Sequence, residues 1–281
     1  MDDLTGLGKP ATKLIETVAG AIGTLFEPRR IRRRAKARAA ADVMRMKGKI
    51  AAAELAERAA HRAQVREVNR QRNLEAIIGR AIPQLPANVD TTPVDPDWTS
   101  AFIDCAQDVS DEEMQSLWAR ILAGEVAEPG SFSRRTLAAV RVMSKVDAGR
   151  FTRFCSFLWW INGSGVCVQE PNSEDLFTRA DVTYGHQLLL RVTGLITDEG
   201  VGVGSRVYQF ETDKEYTLDY FGTEIKSRLV GTTRSFLQVA PLTPVGAELA
   251  PISGATRNEE YFKRCVSYFR ANGLDIPDLP A

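Results

Sequence analysis

The stretch from Arg29 to Ile82 contains no proline and is rich in Ala, Arg, Glu, Lys and Gln. These residue types have high helix propensity, so the stretch predicts either one long helix or two helices separated near Gly48. About fifty residues at 1.5 Å each would reach roughly 75 Å. The apolar positions hold no heptad register, because Glu57 and Gln64 stand where a coiled coil needs apolar residues. The pattern therefore favours an Ala-rich packing helix.

A shorter apolar helix is predicted directly before this stretch, beginning near Thr12 and ending before Pro28. Its apolar residues recur at helical spacing and form one stripe, and a block of arginines follows at once. An apolar stripe beside cations is typical of a membrane-surface helix, and it also suits a partner helix. The residues predicted to bind a membrane or a partner are Leu14, Val18, Ile22, Leu25, Phe26, Arg29, Arg30, Arg32, Arg33 and Arg34.

The formal net charge of the 281 residues is zero, but the charge is unevenly spread. Between Arg29 and Arg66 there are thirteen Lys and Arg against three acids. Such asymmetry indicates a polyanionic partner. An anionic membrane surface, nucleic acid and a protein partner, including a second subunit or a protein encoded nearby, are the alternatives. No aromatic residue occurs between Arg29 and Arg80, which disfavours the stacking mode of single-strand recognition.

Four prolines in residues 83–97 predict a linker, after which helical patterns return. Ser110 and Glu113 resemble a capping box, and Gly124 a C-terminal stop. Ser133 is predicted to cap the next helix, and Ser144 with Asp147 to cap a third, reading "KVDAGRFTRFCSFLWWI". The residues that form this structural signature are Ser110, Glu113, Leu117, Trp118 and Gly124.

The last third of the chain mixes strand and helix patterns. The segments "SRVYQFET", "EYTLDYF" and "RSFLQVAPL" predict strands, and "TYGHQLLLRVTGLI", "TPVGAELAPI" and "NEEYFKRCVSYFRANG" predict helices. The order is similar to that of winged-helix modules. We therefore expect a mainly α protein with long N-terminal helices and a small, winged-helix-like α+β C-terminal domain. The predicted parts are an amphipathic N-terminal helix (1–28), a basic helical region (29–82), a Pro-rich linker (83–97), a central helical domain (98–162) and the α+β domain (163–281).

No set of residues predicts catalysis, a cofactor or a metal site. His61 and His186 are the only histidines, and neither has a metal-binding or nucleophile–base pattern around it. The carboxylates from Asp111 to Glu113 suit the first turn of a helix, where negative charge is favourable. No apolar run reaches the roughly 18 residues that span a membrane. The sequence predicts a non-enzymatic cytoplasmic protein, peripheral on the inner face of the membrane if its N-terminal helix binds lipid.

Two stretches carry a resemblance. "GLGKPATKLIETVAGAIGTLFEPRRIRRRAKA" and "DVSDEEMQSLWARILAGEVAEPGSFSRRTL" resemble a bacterial family of unknown function that is known only as a numbered uncharacterised domain. The resemblance covers about residues 5–160 and covers the tail poorly. The "LWARILAG" element is also similar to one in the abortive-infection alpha proteins. These resemblances imply a prophage or phage-defence setting and assign no site residues.

The residue patterns and the resemblances together predict a non-enzymatic, self-associating homo-oligomer that acts in phage defence or a stress response at or near the membrane. The alternative is a nucleic-acid-associated module that uses the basic helix and the winged-helix-like tail.

Overall fold

The computed structural model describes residues 9–22, 43–197, 206–212, 214–231 and 234–278, with the backbone alone at 19–22, 43–52 and 206. The chain divides into two compact units, residues 1–131 and 132–281, and each unit has its own buried core. The boundary lies inside the predicted central helical domain, residues 98–162.

Within the described residues, unit 1 has four α-helices: α1 (Lys9–Ile22), α2 (Val43–Ala81), α3 (Pro96–Ala106) and α4 (Glu112–Ala127). A 3₁₀ turn at Ile82–Gln84 follows α2. Helix α2 is continuous over 39 residues, so of the two alternatives the described part agrees with one long helix without a break near Gly48. The predicted N-terminal helix corresponds to α1, and the part of it beyond Ile22 lies outside the described residues.

Helices α3 and α4 begin at side-chain caps and pack around an aromatic core. Asp95 accepts a hydrogen bond from the Asp97 backbone N–H at 2.9 Å and so begins α3. The Trp98 ring stacks on Phe102 with centroids 5.3 Å apart, and Phe102 meets Trp118 edge-on at 5.4 Å. Aromatic pairs of this kind hold α3 against α4.

Unit 2 surrounds one antiparallel sheet with helices. In chain order its elements are α5 (Arg134–Val142), α6 (Lys145–Cys155), β1 (Leu158–Ile161), β2 (Ser164–Val168), α7 (Glu174–Arg179), α8 (Tyr184–Val192), β3 (Arg206–Glu211), β4 (Glu215–Tyr220), β5 (Thr223–Arg228), β6 (Arg234–Pro241), α9 (Pro244–Leu249) and α10 (Glu259–Ala271). The predicted caps at Ser133 and Ser144 are confirmed, the latter as a full capping box with Asp147. The three predicted strands and three predicted helices of the tail are also confirmed.

The six strands pair in the order β3-β6-β2-β1-β4-β5. Strands β1 and β2 form a hairpin at the centre, in which Leu158 lies opposite Cys167. Asn162 and Gly163 make the turn with φ of 48° and 77°. Two consecutive residues of positive φ match the right-handed twist of the strands, and Asn-Gly adopts them at low cost.

The core of unit 2 lies between this sheet and α10. Trp159 is fully buried and contacts the rings of Tyr220, Phe262 and Phe269, with centroids 4.9, 5.5 and 5.0 Å away. Tyr261 of α10 donates a hydrogen bond from its hydroxyl to the Val168 carbonyl at 2.7 Å. Aromatic packing and one buried polar contact therefore join α10 to the two central strands.

This architecture corrects the expected fold class. The protein is an α+β protein rather than a mainly α one, because the six-stranded sheet organises unit 2. The predicted third helix of the central region ends at Cys155, and its last residues form β1 instead. The prediction of a winged-helix-like tail is also wrong, because its strands join one six-stranded sheet whose central hairpin begins at Leu158, before residue 163.

Candidate functional site

The most unusual feature of the described surface is the exposed part of α2. Every side chain from Ala53 to Asn69 is exposed, and this segment is named the arm. Leu55, Val65 and Val68 are 62%, 47% and 45% exposed. Seventeen helical residues extend about 26 Å. Apolar side chains and helical backbone are thus presented to the surroundings without cover from the rest of unit 1.

The arm is held at one end by the buried last turns of α2. Leu74, Ile77, Ile78 and Ala81 are buried where α2 packs against α4 and, less extensively, against α3. Because this packed end supplies the helical nucleus, the arm only has to propagate the helix, which is far less costly than starting one. Ala, Arg, Glu and Gln then keep the exposed turns helical.

Polar contacts fix the base of the arm. Arg70 donates to both carboxylate oxygens of Asp108 at 2.7 and 2.9 Å, and to Glu67 at 3.1 Å. The hydrogen bond with Asp108 raises the pKa of Arg70 above its ordinary value. Asn73 donates to the Gln107 carbonyl at 3.0 Å. These contacts tie the helix to the loop between α3 and α4 and so set the direction in which the arm leaves unit 1.

One face of α2 carries hydrogen-bond donors. The residues on this arginine face are Arg58, Arg62, Arg66, Asn69 and Asn73, spaced by four, four, three and four positions, which places them on one side of a helix. A groove of about 370 Å³ follows the part of this face that is nearer the anchored end of α2. It is lined by Arg62, Val65, Arg66, Asn69, Arg70, Asn73, Asp108 and Ser110.

A second face of the arm is made of small side chains. The residues on this alanine face are Ala53, Ala56, Ala60 and Ala63, spaced by three, four and three positions. The same spacing continues through Glu67 and Arg70 to the buried Leu74, Ile77 and Ala81. One side of α2 therefore packs into unit 1 at the C-terminal end of the helix. In the arm, the same side consists of exposed alanines.

The residues predicted to bind a membrane or a partner do not belong to the arm. Leu14 and Val18 are 0% and 1% exposed, because α1 packs on α3 and α4. Lys13 of the same helix donates to the Val126 carbonyl at 3.1 Å. The side chain of Ile22 and the residues Leu25, Phe26, Arg29, Arg30, Arg32, Arg33 and Arg34 lie outside the described part of the chain. Leu14 and Val18 thus stabilise the fold.

The structural signature also belongs to the fold. The helix α4 is capped by Asp111, which accepts from the backbone N–H groups of Glu113 and Met114 at 3.0 Å each, and not by Ser110. Leu117 and Trp118 are buried in unit 1. Gly124 does not end the helix, which continues to Ala127. Asp111 competes better than Ser110 because its carboxylate is charged and bonds two free N–H groups of the first turn.

Neither histidine joins a catalytic arrangement in the described residues. His61 is exposed on the arm. The Nδ1 atom of His186 lies 3.3 Å from an Asp181 carboxylate oxygen and 3.1 Å from the Thr183 hydroxyl, at the start of α8. Both neighbours contact the same ring nitrogen, so the group lacks the nucleophile–base–orienter order of a hydrolase. Among the described residues, no group of three His, Cys, Asp or Glu is placed to hold a metal ion.

The cysteines of unit 2 are chemically quiet. Burial raises the pKa of Cys155 and Cys265 to about 12, and the pKa of Cys167 is raised further by burial beside Cys265. A nucleophilic cysteine needs its thiolate near neutral pH, so these three thiols do not suit covalent catalysis.

A groove of unit 2 has a volume of about 540 Å³ and runs along β2, β3 and β6 to the start of α9. Ser164, Tyr208, Gln209 and Thr243 supply polar side chains, and none of the lining residues is Asp, Glu, His, Lys, Arg or Cys. Burial raises the pKa of the Tyr208 hydroxyl above its ordinary value. The groove therefore offers hydrogen bonds and apolar contact, and its tyrosine has no acidic or basic partner among the lining residues.

These observations define an α+β protein with an exposed helical arm that carries a row of arginines on one face. A family model described as "Protein of unknown function (DUF2806)" matches residues 57–266, which are 210 of the 281 residues. The chain belongs to this family, so the predicted membership of a numbered uncharacterised domain is confirmed. The match begins inside the arm and includes most of unit 2, so the tail is better covered than expected.

No curated protein and no solved structure matches the chain. No helix in the described part of the chain is long and apolar enough to cross a membrane.

Proposed function

We propose that this chain is a non-enzymatic, self-associating protein whose arm pairs with the arm of a second copy. The observation that carries the proposal is the contrast within α2, where an arm whose every side chain is exposed is followed by two turns that are anchored by buried residues. An arm of this length with three exposed large apolar residues is typical of an interaction element.

The alanine face supports a second copy as the partner. Small side chains let two helices approach closely, so the backbones and the neighbouring side chains gain van der Waals contact. Eight buried methyl groups from two arms would contribute about 6 kcal/mol at most, at ~0.8 kcal/mol each. Association itself costs about 4–15 kcal/mol. We therefore expect a weak, concentration-dependent dimer to which the turns before Ala53 and the flanking side chains also contribute.

The charge of the arm permits this pairing. Arg58, Arg62 and Arg66 are matched by Glu54, Glu57 and Glu67, so the arm has no formal net charge. The arginine face lies on a different side of the helix from the alanine face. Two arms joined through their alanine faces therefore keep the arginines apart, and salt at 0.15 M screens charges over about 8 Å. The dimer should depend little on salt.

The test is sedimentation equilibrium of the whole chain. The variant Ala60→Glu with Ala63→Glu introduces two charges into the alanine face while keeping good helix formers. We expect the wild-type chain to dimerise with rising concentration and this variant to stay monomeric. The matched control, His61→Glu with Val65→Glu, adds the same charge on another side of the arm and should dimerise normally. A wild-type chain that is monomeric throughout, or equal loss in both variants, would refute pairing through the alanine face.

Membrane association and a role in phage defence are two further parts of the proposed function. The membrane alternative has lost part of its basis, because Leu14 and Val18 are buried in unit 1. It now depends on Ile22, Leu25, Phe26 and the following arginines, and co-sedimentation of the whole chain with anionic vesicles tests it. The phage-defence setting depends on the sequence resemblance alone. Plaque counts on cells that express the wild-type chain or the Ala60→Glu, Ala63→Glu variant test that setting.

A further inference from the structure

The arginine face has donor groups that the fold does not use. Arg62 and Asn69 make no hydrogen bond or ion pair with any other described residue. Arg66 meets only Glu67, at 3.3 Å, and both side chains are more than half exposed. Exposed contacts of this kind contribute little and are readily exchanged for another partner. The donors of Arg62, Arg66 and Asn69 are thus available to a ligand.

The spacing of the arginines suits an extended anion. Arg58, Arg62 and Arg66 advance by four residues, about 6 Å per step, so the row covers about 12 Å. Over that length, duplex DNA presents roughly seven phosphate charges along its axis. The guanidinium group binds phosphate oxygens in a bidentate manner. A row of three arginines therefore matches a repeating phosphate backbone better than a single small anion.

Asp108 is the carboxylate that lines the groove, and its charge is already paired. Both of its oxygens accept hydrogen bonds from Arg70. The preceding turns of α2 add Arg45, Lys47 and Lys49 and contain no acid between Val43 and Ala53. The sequence of α2 thus becomes more cationic toward Val43.

The arm does not suit the two competing polyanions. Single-stranded nucleic acid is held by aromatic stacking, and α2 contains no aromatic residue. A membrane surface requires a continuous apolar face, whereas Leu55, Val65 and Val68 are separated by ten and three positions and do not share one stripe. Duplex nucleic acid, bound through its phosphates, is the ligand that this face fits.

We propose that the arginine face, with Arg58, Arg62, Arg66 and Asn69, binds the phosphodiester backbone of duplex nucleic acid without reading its sequence. This inference is independent of pairing through the alanine face, because different sides of the helix carry the two activities. Either activity is retained when the other is removed.

Fluorescence anisotropy of a labelled DNA duplex with the whole chain tests the inference. The variant Arg58→Gln, Arg62→Gln, Arg66→Gln removes three phosphate contacts, which should lower the slope of log K against log salt by about 2.7. Between 50 and 200 mM salt, the wild-type affinity should then fall about 40-fold more than that of the variant. The control Arg134→Gln, Arg135→Gln, Arg141→Gln removes the same charge from exposed positions of α5 and should keep the wild-type slope.

Two outcomes would overturn the inference: no binding of either a DNA or an RNA duplex at low salt, or the same loss of affinity in both triple variants. An RNA duplex in place of DNA identifies the source of the phosphodiester, and binding to either duplex that depends on the three arginines supports the inference. Circular dichroism of each variant verifies that α2 remains helical. Binding of phosphatidylserine vesicles, with no binding of either duplex, would assign the arginine face to a membrane instead and refute the inference.

Discussion

The arm and the core around Trp159 are held by opposite means. In unit 2, Trp159 is enclosed by Tyr220, Phe262 and Phe269, and its conformation is fixed by contacts that lie far apart in sequence. In the arm, all side chains are exposed. Its helix depends on the helix propensity of its residues and on the anchored turns after Arg70.

This contrast shows where function and stability are separated in the protein. A substitution in the core acts through packing, so its effects on binding and on folding cannot be distinguished easily. A substitution on the arm changes a surface that the fold does not need, so it reports on a partner. Four substitutions test whether the two regions really differ in this way, from the largest expected effect to the smallest.

The largest effect is expected at the centre of unit 2. Trp159→Ala removes the ring that three aromatic side chains contact, and replacements of this kind cost about 3–5 kcal/mol. Amide hydrogen exchange of β1 and β2 under mild denaturant should show the loss. Leu55→Ala on the arm is the comparison, and it should change the same protection by less than about 0.5 kcal/mol. Similar losses in the two variants would show that the arm is part of the fold.

The second effect concerns the anchor of the arm. Ile77→Ala should destabilise the α2–α4 packing by about 2–5 kcal/mol, because Ile77 is fully buried. Exchange of arm amides should then accelerate together with those of the anchor, since the helix loses its nucleus. Val65→Ala, on the arm itself, should leave the anchor protected. An arm that keeps its protection in the Ile77→Ala chain would have a separate source of stability, such as a paired copy.

Local patterns in the sequence were sufficient for many elements. The Ser144–Asp147 box and the strand pattern of "EYTLDYF" are determined by neighbours in the chain, and both occur as predicted. The β1–β2 hairpin was missed, although Asn162–Gly163 is a strong turn signal. Its apolar run "FLWWI" follows a helix without interruption, and short apolar runs fit a buried strand as well as a helix. The whole sheet, and with it the fold class, depended on that choice.

The candidate site was harder to predict for a different reason. Periodicity identified the stripe of Leu14 and Val18, but it did not reveal that α3 and α4 cover those residues. In the same way, an Ala-rich composition suits both a packed helix and an exposed one, so the arm could not be distinguished from the anchor. The buried positions Leu74 and Ile77 and the exposed positions Ala60 and Ala63 share one spacing. Only the tertiary contacts separate them.

A third effect, confined to the arm, is expected from a change of backbone propensity. Ala60→Gly should weaken the arm helix by about 1 kcal/mol, since glycine gains more freedom on unfolding than alanine. Exchange of the arm amides should speed up roughly fivefold, and the anchor and unit 2 should be unaffected. The measurement belongs at low protein concentration, where pairing is absent. If the effect shrinks as concentration rises, the arm is being covered by another copy.

The smallest effect is expected from an exposed cap in unit 2. The hydroxyl of Ser144 donates to Asp147 at 2.6 Å and, with the Ser144 backbone N–H, lowers the pKa of Asp147 below its ordinary value of 3.8. Because the folded-state pKa is the lower one, the stabilisation is complete above about pH 3.8 and is lost as the pH falls through the folded value.

Asp147→Asn should therefore cost no more than about 1 kcal/mol at neutral pH and should remove this acid dependence. Urea unfolding of unit 2 at neutral pH and below pH 3.8 measures both. If the loss of this exposed cap destabilises the protein as little as a substitution on the arm does, the exposure of a residue, and not the unit to which it belongs, determines the change in unfolding free energy. A loss comparable to that of Trp159→Ala would show instead that the α6 terminus is coupled to the aromatic core.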